Sequence, residues 1–67
     1  MYPFSTQLFE LQIGQLFKLN KNSRVYVCTG TDNGISYRVA ENLKAKSSKV
    51  RSYHTKYHKK VTVVQFY

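Results

Sequence analysis

The sequence predicts an all-β domain of five short strands, closed as a small, partly open barrel. Three observations lead there. Runs rich in Val, Ile, Tyr, Phe and Thr recur at short intervals, and β-branched and aromatic side chains suit a pleated surface. Asp32-Asn33-Gly34 lies between two such runs, and an Asn-Gly step accepts the positive φ angles of a tight hairpin. With 67 residues, one small core must serve every strand, and closing the sheet hides edges that a flat sheet would leave open.

Residues 1–10 read as an N-terminal arm, in which Pro3 disfavours regular structure, and residues 11–67 as the single barrel domain. Residues 8–13 fit either a short extended segment or one helical turn, and periodicity does not separate the two. The first strand covers residues 15–19, where Phe17 and Leu19 share a face and Lys18 points away. Asn20-Lys21-Asn22-Ser23 is a turn by composition. Residues 24–31 make the second strand, with Tyr26 expected at least half in the core.

The hairpin leads to a third strand over residues 35–40, where Ile35, Tyr37 and Val39 alternate with Ser36 and Arg38. Residues 41–48 are polar and read as a loop, although their Ala, Leu and Lys would permit one helical turn. Residues 49–55 form the fourth strand and residues 61–66 the fifth, joined by residues 56–60. The echo Tyr53-His54-Thr55-Lys56 and Tyr57-His58-Lys59-Lys60 has helical spacing. Its β-branched neighbours and the lack of an acidic N-cap favour an extended reading.

Several of these features together carry a resemblance: Ile13-Gly14 with Phe17, Val25-Tyr26-Val27, the Asp32-Asn33-Gly34 hairpin, Tyr37-Arg38-Val39 and Val61-Thr62-Val63-Val64. Over residues 11–64 the chain resembles small Src-homology-3-type barrels, including short bacteriophage proteins of that type. The resemblance implies a five-stranded, partly open Src-homology-3-like barrel. Barrels of this type serve as DNA and RNA binders, ribosomal and chromatin modules, and peptide readers. The chain has no Trp and three acidic residues, so it lacks the tryptophan and acidic loop that readers of proline-rich peptides use.

Charge is the strongest pointer to function. The formal net charge is +8, and seven of the eleven basic residues are Lys44, Lys46, Lys49, Arg51, Lys56, Lys59 and Lys60, with no Asp or Glu among them. Such an excess costs self-repulsion that a merely soluble surface could avoid, and it suits a polyanion. Tyr53, His54, Tyr57 and His58 are threaded through these cations, and flat rings beside charges suit bases and phosphates. Of the two tyrosines, Tyr57 is expected to be the more exposed. Arg38 would extend the patch across the sheet.

Other chemistry has little support. Cys28 is the only cysteine, which excludes an internal disulfide framework. Set in an apolar strand, it reads as an inert small hydrophobe. His54 and His58 fall short of the four ligands of a structural zinc site, so neither metal nor cofactor is expected. The acids Glu10, Asp32 and Glu41 are scattered, and Gly14, Gly30 and Gly34 are too widely spaced for a phosphate-cradling loop. The expectation is a non-enzyme.

The leading expectation is therefore a barrel that binds nucleic acid through phosphate contacts, with little sequence specificity. Duplex DNA is favoured over RNA or single strands, because cations outnumber candidate exposed rings. The alternative is a phage-type interaction module or regulator docking on an acidic host protein, with Phe4, Phe9 or Phe66 as apolar anchors. A homodimer could form through the arm or through the β-branched last strand. No apolar run reaches signal-peptide or membrane-spanning length, so the expected location is cytoplasmic, in the host cytoplasm if the protein is viral.

Overall fold

The computed structural model describes residues 2–66. Its strands are β1 (Phe4–Gln7), β2 (Gln15–Lys18), β3 (Val25–Gly30), β4 (Gly34–Val39), β5 (Ser48–Arg51) and β6 (Lys60–Phe66). Two 3-10 turns, Leu8–Glu10 and Thr55–His58, complete the regular structure, and no α-helix occurs among the described residues. The fold is all-β and partly open, with six strands in one sheet where the sequence predicts five.

The additional strand is β1, drawn from the segment read as an arm. Its Phe-Ser-Thr-Gln sequence has no apolar alternation to announce it, and its residues are exposed or half-buried. Backbone pairing makes the strand: Phe4 lies opposite Val63 and Gln7 opposite Lys60, antiparallel. Just beyond it, Leu8 and Leu11 enter the core. Of the two readings of residues 8–13, the structure takes the turn. Glu10 fixes it, its Oε1 accepting from Thr6 Oγ1 and the Gln7 amide, each at 3.3 Å.

The sheet order is β1-β6-β2-β3-β4-β5, and every neighbouring pair is antiparallel. Strand direction must therefore alternate along that order. β1 and β2 run the same way, as do β5 and β6, so the segments joining each pair must traverse the full length of the barrel. Residues 8–14 make the first crossover and residues 52–59 the second. They pack on each other, and the Leu8 amide donates to the Lys59 carbonyl at 2.7 Å. The expected fourth strand stops at Arg51 because the chain turns there to begin its return, the His54 amide donating to the Arg51 carbonyl at 3.0 Å.

The core is built by alternation. Phe17, Cys28, Ile35, Val50, Val61 and Val63 point inward from five strands, and Leu8 and Leu11 arrive from the first crossover. Tyr26 and Tyr37 lie half-buried beside Phe17, meeting each other edge to face at 5.2 Å between centroids. Two register shifts, one skipping Val64 in β6 and one skipping Thr29 in β3, bend their strands as a closing sheet requires.

The turns follow their composition. Ser23 Oγ accepts from the Leu19 amide at 2.9 Å, and Asn20 Oδ1 from the Asn22 amide at 2.9 Å. In the β3–β4 hairpin Asn33 has φ 54° and Gly34 φ 124°. A Cβ on Gly34 would collide with the Val50 carbonyl and lie 2.8 Å from Arg51 Cα, whereas one on Gly30 would meet only Ser36 at 3.5 Å. Gly34→Ala is thus expected to destabilise the fold by at least about 2 kcal/mol, and Gly30→Ala to stay within about 1 kcal/mol of wild type. Urea denaturation of the two variants checks this. Leu8→Ala, in the segment read as an arm, should cost about 2–5 kcal/mol, and a loss near zero by the same method would show that the first crossover is dispensable.

Candidate nucleic-acid interface

Register decides which cations meet. β2 ends at Lys18, opposite both Val25 and Thr62, and the Ala40 amide donates to the Val25 carbonyl at 3.0 Å. The 19–24 turn, the 40–47 loop, the end of β1 and the start of β6 therefore share one end of the barrel. That end carries Lys18, Lys21, Arg24, Lys44, Lys46, Lys59 and Lys60, seven of the eleven basic residues. Lys18 is half-buried and the other six are exposed. Glu10 and Glu41 lie near this end, whereas Asp32 sits in the hairpin at the other.

Lys18, Lys21 and Arg24 do not stand out in the sequence, because outside the carboxy-terminal basic segment four cations are offset by three acids. Topology brings them beside Lys44, Lys46, Lys59 and Lys60. The remaining predicted cations run down the side of the barrel: Lys49 and Arg51 on the outward face of β5, Lys56 on the second crossover, all exposed. Lys49 Nζ donates to the Asp32 carbonyl at 2.7 Å, which leaves two of its three protons free.

Arg38 has another use. It is half-buried on the outward face of β4, opposite Val27, and its Nη1 donates to the Leu43 carbonyl at 2.6 Å. It thereby ties down the 40–47 loop and so positions Lys44 and Lys46. Its Nε is buried without a hydrogen-bond partner among the described residues.

The rings fall into two groups. Tyr53 is 77% exposed, with His54 tilted against it at 5.0 Å. Tyr57 packs against the core and is half-buried, so the expected order of exposure for the two tyrosines is reversed. The reason is the Thr55–His58 turn, which the extended reading of this segment did not include. It swings Tyr57 inward against the core. Phe9 of the first crossover lies 5.7 Å from Tyr57 and 5.9 Å from His58, yet stays 43% exposed.

The opposite end is different in kind. β1 begins there, β6 ends there and the first crossover reaches it at Gly14, so the exposed Tyr2, Phe4, Ile13 and Phe66 lie at that end. Tyr2 and Phe4 stack at 5.6 Å. β6 is paired with β1 over Lys60–Val63 and with β2 over Thr62–Phe66.

Among the described residues no group of three or more His, Cys, Asp or Glu side chains could hold a metal ion. Among the same residues no helix is long and apolar enough to cross a membrane. Comparison with protein families, with curated proteins and with solved structures found no match.

Two inward groups titrate abnormally. Burial raises the Cys28 thiol above its ordinary range, partly offset by a hydrogen bond with the Gly30 backbone. Burial also raises the Tyr37 phenol, with a smaller push from Tyr26 and an offset from Ser48. Both groups hold their protons more tightly in the fold than when unfolded. Their contribution is complete below the unfolded values, about 8.5 for a thiol and about 10 for a phenol, and is lost as pH climbs through the folded ones. Thermal midpoints measured from pH 8 to 11 should fall less steeply in Cys28→Ala and Tyr37→Phe than in the wild type. Lysine deprotonation is common to all three chains and drops out of the comparison.

Proposed function

We propose that this chain is a non-enzymatic binding protein that holds nucleic acid through phosphate contacts made by the cationic end of the barrel, with little sequence specificity. The observation that carries the reading is the convergence of seven cations from four separate loops and strand ends on one end, six of them exposed. A merely solubilising charge has no reason to gather, since gathering raises self-repulsion. Lys49, Arg51 and Lys56 extend the same field along the side of the barrel. The proposal includes the likeness to Src-homology-3-type barrels of phage origin, and with it a cytoplasmic site of action.

A specific observation also favours a second reading, a protein contact. Tyr2, Phe4, Ile13 and Phe66 form an exposed apolar group at the opposite end, and aromatic side chains serve as anchors in such contacts. An acidic host protein would be drawn by the same charge. The apolar anchors of this second reading lie at the end opposite the phosphate-binding cations.

Titration of labelled duplex DNA, single-stranded DNA and RNA at several salt concentrations tests the leading reading. With about five cations on phosphates, log affinity for duplex should fall against log salt with a slope of about −4 to −5. Replacing Lys21 and Arg24 together with Gln should flatten that slope by about 2, although both lie outside the carboxy-terminal basic segment. Absence of binding to all three probes at low salt would end the proposal.

A further inference from the structure

We propose that the preferred ligand is an unpaired strand, DNA or RNA, whose bases stack on two ring platforms of the crossovers: Tyr53 with His54, and Phe9 with His58. The inference rests on the nucleic-acid reading and deepens it. On the sequence alone duplex is favoured, because rings are too few beside the cations. The structure changes the balance by bringing Phe9, distant in sequence, onto the second crossover.

Each platform has a ring open to solvent and cations close by. Tyr53 is 77% exposed, a large apolar surface left in water that nothing in the core requires. Arg51 precedes it by two residues and Lys56 follows by three. Phe9 remains 43% exposed even though Tyr57 packs on it and His58 meets it at an interplanar angle of 60°. The hydrogen bond from the Leu8 amide to the Lys59 carbonyl holds Phe9 in this place, beside the cationic end. Tyr57 itself, half-buried, serves as the floor of the second platform.

Spacing lets one strand use both. Residues 53 and 57 can be no more than about 14 Å apart at full extension of the chain between them, and the 3-10 turn makes the separation shorter. The Phe9 ring is 5.7 Å from that of Tyr57. A short single strand can thus lay one base on Tyr53 and another on Phe9, with Lys56 between them and its flanking phosphates on Lys59 and Lys60. Duplex DNA, whose bases are already stacked, can use the cations alone. Stacking is tolerant of base identity, because every base presents a π-face.

The test compares four labelled probes of equal length in fluorescence anisotropy: a twelve-nucleotide oligo-dT, the matching oligo-U, an abasic twelve-mer of the same charge, and a twelve-base-pair duplex. One or both of the base-bearing single strands should bind at least about tenfold more tightly than the abasic strand, and the dT and U arms show which sugar is preferred. Tyr53→Ala should weaken the better single strand by about 5- to 100-fold and leave the abasic strand within about twofold. Phe9→Leu, which keeps an apolar contact with Tyr57 but removes the ring, should act in the same direction. Lys56→Gln should weaken binding of every probe. Equal affinity for base-bearing and abasic strands, or a neutral Tyr53→Ala, overturns the inference while leaving phosphate binding intact; no binding to any probe overturns both.

Discussion

Antiparallel pairing throughout the sheet is the constraint from which the rest of this structure follows. Alternating strand directions in the order β1-β6-β2-β3-β4-β5 leave two pairs of sequence neighbours pointing the same way. Neither pair can be joined by a tight turn, so residues 8–14 and 52–59 must cross the barrel from end to end. Both bring side chains to the core, Leu8 and Leu11 from the first and half-buried Tyr57 from the second. Burial of a leucine side chain contributes about 1.5–3 kcal/mol, and the first crossover brings two, Leu8 and Leu11. In a chain this short that is a large share of the whole stability.

The same constraint sorts the surface. Loops between neighbouring strands alternate between the two ends of the barrel, and the crossovers touch both. Basic residues happen to occupy the turn after β2, the loop after β4 and the approach to β6, all of which open at one end. Exposed apolar residues occupy the start of β1, the approach to β2 and the finish of β6, at the other. The barrel is consequently polar along its axis, with a cationic end and an apolar end. Arg38 serves the cationic end indirectly, holding the 40–47 loop through the Leu43 carbonyl.

Crossovers also explain why aromatic residues lie outside the core. A traversing segment of seven or eight residues has one side against the barrel and the other against solvent. Tyr57 takes the inner side and Tyr53 the outer. Phe9 and His58 meet where the two segments touch. These rings stand beside lysines because the second crossover is itself part of the basic segment, so charge and stacking surface arise from one stretch of chain.

Local physics made much of this legible in advance. The Asn33-Gly34 hairpin, the Asn20–Ser23 turn, the inward Ile35 and Tyr37 and the inward Cys28 each follow from neighbouring residues, and each is found where the sequence puts it. What local reading missed has a common cause. β1 lacks an apolar pattern, and only its backbone bonds to β6 make it a strand. Tyr57 turns inward onto a core that distant strands build. Lys21 and Arg24 join Lys44 and Lys60 because strand order, set by pairing across the whole chain, decides which loops share an end. By itself the sequence determined an all-β chain with an excess of positive charge; only the tertiary structure decided where that charge gathers and which rings stand beside it, since both depend on contacts between residues far apart in the chain.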